Sequence, residues 1–121
     1  MTQTPRQPPS IDAWGGGGFR VAGVWRPGSL LIVDDTPADW SVQSLAGLSM
    51  ADFAPIIAAG PAVEFVLLGT GAAQALPARQ IRDGLKAAGL GLEFMSSEAA
   101  ARTYNVLASE GRRLAAALIA V

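Results

Sequence analysis

Two short segments of the chain carry groups that could do chemistry. The first is Gly69-Thr70-Gly71, directly after the nearly continuous apolar run Val63-Glu64-Phe65-Val66-Leu67-Leu68. Paired glycines allow positive φ, so successive N–H groups can turn toward one anion with the Thr70 hydroxyl beside them. The carboxyl end of a buried strand is also where open α/β sheets place their ligands. The lysine and spacing of GxxxxGK[ST] are missing, so this is not a P-loop. The plainer alternative is a tight strand exit that needs small residues.

The second segment is Arg102-Thr103-Tyr104-Asn105. On a helix Arg102 and Asn105, three residues apart, share an azimuth and can meet one ligand or partner. Arginine offers a forked donor to carboxylate or phosphate, and asparagine both donates and accepts. Tyr104 points nearer the core. The competing reading is structural: Arg102 tying a loop and Tyr104 packing.

Three tryptophans, Trp14, Trp25 and Trp40, lie in or beside the first third of the chain. Tryptophan is enriched at the centres of interfaces, which makes Trp14 and Trp25 candidate partner contacts. Packing of two or all three in a small core is the simpler use of such large side chains. Asp34, Asp35 and Asp39 fall short of a cation's full ligand set and suit a turn. Lys86 falls off its helix's apolar stripe and reads as solvated, not as a nucleophile. No metal or cofactor is expected.

Composition narrows the classes further. The 121 residues include no histidine and no cysteine. That removes thiol nucleophiles, Ser-His-Asp machinery, imidazole acid–base catalysis, Cys/His zinc sites and disulfides together. Nine basic against ten acidic residues give a net charge of −1, with no basic stripe for nucleic acid. Half of the residues are hydrophobic, as in a compact domain. No catalytic acid–base pair stands out.

Elements must position these groups. Residues 1–9, rich in proline, read as a disordered lead-in, and 10–121 as a single α/β domain. They contain no apolar signal core and too little arginine for a transit peptide. The apolar stretches are far shorter than the ~20 residues of a membrane span. These features predict a cytoplasmic chain.

Gly15–Gly18 marks a sharp turn, not a dinucleotide fingerprint, because no helix pattern opens there. Phe19, Val21 and Val24 alternate as one half-exposed strand bent at Gly23, and Ser29–Val33 is a buried strand ended by Asp34-Asp35-Thr36-Pro37. Ser49 with Asp52 opens a helix whose apolar face is Phe53, Ile56 and Ile57, stopped at Gly60-Pro61. A second helix runs from Pro77 to Ala88 with Ile81, Leu85 and Ala88 inward. Leu92–Met95 is strand-like. A third helix opens at Ser96 or Ser97 and closes at Gly111, with Ala99, Ala100, Thr103, Tyr104, Val106 and Leu107 on one broad face. Leu114–Val121 fits helix or strand equally well. Alternating helices and strands predict an α/β sheet.

Four segments taken together carry a resemblance. They are Trp14–Phe19, Val66–Gly71, Ala101–Leu107 and Ser109–Ile119. In this order and spacing the chain resembles, over roughly residues 10–120, the family known as domain of unknown function 498. That family includes a respiratory complex I assembly factor and an adipogenesis-associated protein. The resemblance implies a three-layer α/β domain with a mixed, mostly parallel five-stranded central sheet, flanking helices and an additional N-terminal β layer. It also implies that the segment after Gly111 is a strand. Bacterial members often carry cysteine just before Arg-Thr-Tyr-Asn; here that position is Ala101, so a thiol is not this chain's chemistry. The family's mitochondrial location does not carry over without a transit peptide.

The first expectation is therefore a non-catalytic interaction or assembly-type domain. Its protein partner is of unknown identity, for example subunits of a membrane complex, and self-association stays open. The alternative is a binder of, or enzyme on, an anionic metabolite, using Gly69, Thr70, Gly71, Arg102 and Asn105.

Overall fold

The computed structural model describes residues 6–121. In chain order the elements are β1 (Ile11–Gly15), β2 (Gly18–Val21), β3 (Val24–Pro27), β4 (Ser29–Val33), β5 (Thr36–Trp40), α1 (Ala54–Ala58), β6 (Phe65–Gly69), α2 (Arg79–Ala87), β7 (Gly91–Met95), α3 (Ser97–Ser109) and β8 (Leu114–Leu118). Part of the expected lead-in, residues 1–5, lies outside the described residues.

The first five strands form three hairpins by one device. Each two-residue turn, Gly16-Gly17, Ala22-Gly23 or Asp34-Asp35, has positive φ at both residues. Such turns match the right-handed twist of the strands they join. Two expectations need correction here. Phe19 to Val24 is not one bent strand, because Ala22 at φ 49° turns the chain between β2 and β3. Asp34-Asp35-Thr36-Pro37 does not only end a strand, because Thr36 and Pro37 already belong to the edge strand β5, where a missing proline N–H does no harm.

Strands β1, β2 and β3 form a small antiparallel sheet, and the other five lie in the order β5-β4-β8-β6-β7. Strand β6 is parallel to both β7 and β8, while β4 is antiparallel to β8 and to β5. Four strands thus run one way and only β4 opposes them. This is the mixed five-stranded sheet with an added β layer that the resemblance implies, and the ambiguous segment after Gly111 becomes the central strand β8.

Side-chain alternation along these strands divides the core in two. Leu30, Ile32, Phe65, Leu67, Ala116 and Leu118 face α3 and the small sheet, where Phe19, Val21, Ala100 and Tyr104 meet them. Leu31, Val66, Leu68, Ala115 and Ala117 face the other way, toward Phe53, Ile56, Ile81 and Leu85. The β6–α2–β7 and β7–α3–β8 crossovers step in opposite directions across the sheet. Connections of one hand therefore put α2 and α3 on opposite faces.

Helix faces are narrower than their periodicity predicts. Ile57 at 41% and Val106 at 56% exposure lie off the buried stripes, and Ala88 is exposed past the end of α2. Ser49 opens a 3-10 turn, Met50–Phe53, that leads into the short α1, and its N–H donates to the Asp52 carboxylate at 2.8 Å. Trp40 caps that region, donating to the Asp52 carbonyl at 3.0 Å and meeting Phe53 edge-on at 5.9 Å.

The Ala22-Gly23 turn yields a test. Asparagine tolerates positive φ far better than alanine and precedes glycine in the favoured turn of this type. Ala22→Asn is expected to stabilise the fold by ~0.5–1 kcal/mol. A thermal melt should register this as a Tm raised by about 2–6 °C.

Candidate functional site

The Gly69-Thr70-Gly71 corner lies between the strand end of β6 and the first residue of α3. Ser97 is fully buried there. Its hydroxyl donates to the Ile119 carbonyl at 2.6 Å and accepts the Gly71 N–H at 3.0 Å. In return the Ser97 N–H donates to the Gly71 carbonyl at 2.8 Å. Gly69 makes this approach possible: a Cβ at that position would lie 2.8 Å from Ser97 Oγ and 2.9 Å from its Cα. Gly71, at φ 107°, then turns the chain away.

Thr70 is 8% exposed and equally engaged. Its N–H donates to the Met95 carbonyl at 2.8 Å, extending the β6–β7 ladder. Its hydroxyl donates to the Ala73 carbonyl at 2.7 Å and accepts the Ala75 N–H at 3.2 Å, closing the loop toward α2. The Thr70 and Gly71 amides expected to converge on an anion thus point at protein oxygens. The crevice where strand order reverses, the usual ligand position in such sheets, is filled by the start of α3.

Arg102 and Asn105 do share one face of α3 and do meet one partner, but that partner is strand β1. Asn105 brackets Ile11, accepting its N–H through Oδ1 and donating to its carbonyl through Nδ2, both at 2.8 Å. Arg102 lies over the Trp14 ring at 5.3 Å and pairs with Glu98 at 2.8 Å, one turn earlier. A ligand-site candidate and a partner-site candidate are thus joined in one cation–π contact that fastens the small sheet to α3. Tyr104 packs inward. Its buried hydroxyl has no hydrogen-bond partner among the described residues, and burial, reinforced by Asp35 and opposed by Arg6, holds it above the ordinary tyrosine range.

The tryptophans divide. Trp40 is core, Trp14 is half-buried under Arg102, and Trp25 on edge strand β3 stays 46% exposed beside Val24 at 61%. The Trp25 ring lies across Gly18, where a Cβ would come within 2.9 Å of its Cζ2. It covers a glycine in the neighbouring strand while presenting its other face to solvent.

Sequence reasoning missed two groups. Ser97 was legible only as a helix start, because the glycine pair it meets lies 26 residues earlier in the chain. Asp12 sits in a bulge of β1, accepting from Ser10 Oγ at 2.6 Å and from the Gly23 N–H at 2.8 Å. Those two hydrogen bonds hold its carboxyl below the ordinary value of 3.8. No helix among the described residues is long and apolar enough to cross a membrane.

Comparison with known proteins adds what geometry does not. The model of the family described as protein of unknown function (DUF498/DUF598) matches residues 11–119. An uncharacterised protein of Rhodobacter capsulatus is 39% identical over 109 residues, covering 90% of this chain and 82% of that one. The mouse NADH dehydrogenase [ubiquinone] 1 alpha subcomplex assembly factor 3 is 28% identical over 109 residues, 90% of this chain but only 59% of the relative's length. The crystal structure of an outer membrane protein from Bartonella henselae superposes with a TM-score of 0.86 at 32% identity, covering 94% of this chain and 96% of that one.

Two outcomes follow from the contacts. Ser97→Ala strips partners from two buried backbone groups and is expected to cost ~2–4 kcal/mol in denaturant unfolding. The Asp12 carboxyl, depressed on folding, contributes stability above about pH 4 that is lost as pH falls through its folded value. The Gly23 amide resonance should therefore titrate with a midpoint below 3.8, and Asp12→Asn should abolish that titration.

Proposed function

The chain belongs to the DUF498/DUF598 family, and from that premise we propose that it is a non-catalytic interaction domain of the assembly-factor kind. The observation that carries this reading is the likeness, over 90% of the chain, to a protein whose name states an assembly role on NADH dehydrogenase. The partner is one or more protein subunits of a membrane complex, met from the aqueous side by a cytoplasmic domain.

The disposition of polar groups supports the same reading. The strand-end corner holds its own amides internally, and Arg102 and Asn105 serve the attachment of β1. Among the exposed large apolar side chains, Trp25 and Val24 stand side by side on the outer edge of the small sheet. A tryptophan held against a glycine is pre-ordered, so little rotamer freedom is lost when a partner covers it. Such residues often dominate binding.

The test is affinity capture at native abundance from the cells that express the chain, followed by identification of what comes with it. A defined subunit of a membrane complex is expected. Trp25→Ala should lower its affinity about thirtyfold or more, as for a central interface tryptophan. A chain that remains solitary under these conditions overturns the reading.

A further inference from the structure

At the end of the sheet opposite Gly69–Gly71, the segment leading into β1 inserts an arginine into a ready-made set of acceptors. Arg6 Nε donates to Asp35 Oδ2 at 3.0 Å and Nη2 donates to Oδ1 at 2.8 Å, the two-pronged geometry of guanidinium on carboxylate. Nη1 reaches the carbonyls of Gly111 and Arg112 at 3.3 and 3.4 Å. The carboxylate comes from the β4–β5 turn and the carbonyls from just beyond α3, where the helix dipole adds negative charge. A planar fork flanked by acceptors fits arginine and suits the compact ammonium of lysine poorly.

The segment that delivers Arg6 is otherwise lightly attached. No hydrogen bond among the described residues ties Gln7, Pro8 or Pro9 to the body, and two of these three are prolines with no N–H to give. Beneath them a gap of about 110 Å³ opens over Asn105, Ala108 and Ser109. Beside the guanidinium a larger cleft of about 300 Å³, lined by Arg6, Asp34, Pro61, Ala62 and Arg113, has room for residues flanking an incoming side chain. The Arg6–Asp35 pair is itself partly open to solvent, with the two side chains 38% and 22% exposed. Such pairs are individually weak and replaceable.

We propose that Asp35 with the Gly111 and Arg112 carbonyls forms a binding socket for an arginine presented on an extended segment of a partner protein. Arg6 occupies it in cis as a stand-in. The partner's chemistry refines the interaction-domain reading and rests on it. The socket rests on its own geometry and is tested without any partner.

The full-length Arg6→Ala chain, labelled with ¹⁵N, is titrated with a synthetic peptide of residues 4–10. Saturable shifts are expected at residues 34–36 and 110–113. The unsubstituted chain should bind about two- to sixfold more weakly, because its own arginine competes for the site. Lysine in place of the peptide's arginine, or Asp35→Asn in the Arg6→Ala chain, should abolish the shifts with Tm unchanged. Should Arg6→Ala not fold, Arg6→Lys keeps the charge, lacks the fork and is expected to behave the same way. No saturable shift at millimolar peptide, or shifts that survive the lysine peptide or Asp35→Asn, overturns the socket. An empty capture experiment with an intact socket would overturn only the interaction reading.

Discussion

The Ser97 hydroxyl stands, fully buried, where β6, β8 and α3 converge. Its bonds to Gly71 and Ile119 fix the start of α3 against the sheet, and that start sets where every later residue of the helix falls. Tyr104 then packs over the sheet, Asn105 reaches the backbone of Ile11, and Arg102 settles on Trp14. The small sheet is thus attached through a helix whose own position depends on one buried serine and one missing Cβ. A larger residue at position 69 would disturb the β1 attachment without touching it.

Much of the fold was legible because local pattern and tertiary need coincide. The run at 29–33 and the Phe65–Leu68 part of the run at 63–68 became strands buried on both faces, and Ser96, Pro77 and Ser49 marked beginnings close to where helical turns start. Legibility failed where distant partners decide. Leu114–Leu118 is built around three alanines, which favour helix in isolation, yet it pairs on both sides as β8. Small side chains there let α3 and its counterparts approach closely, a need that no local window reveals. Ala22 hid a turn because alanine rarely adopts positive φ. The shared azimuth of Arg102 and Asn105 was read correctly, but a strand ninety-odd residues earlier was invisible as their target. Nothing around Arg6 advertised Asp35.

The molecule also illustrates how a topology associated with ligand binding can lose its crevice. Doubly wound sheets leave space where successive crossovers diverge, and loops there bind phosphates or cofactors. Here the crossovers diverge at β6, and the space is taken by direct contact between Gly69 and Ser97. A cleft of about 300 Å³ lies instead at the other end of the parallel strands, among Arg6, Asp34 of the β4–β5 turn and Arg113 on the approach to β8. Recognition by exposed side chains fits this arrangement better than enclosure of a small molecule.

Among the described residues strand β8 alone joins the β4–β5 hairpin to the β6–β7 pair in the ladder, lying between β4 and β6. It is also the last of the five to leave the ribosome. Until it emerges, neither the β4–β5 hairpin nor the β6–β7 pair can have its inner edge covered, and open strand edges are prone to association. Synthesis order therefore imposes a vulnerable interval on this domain, ended by a stretch of leucine and alanine that inserts between its two waiting halves.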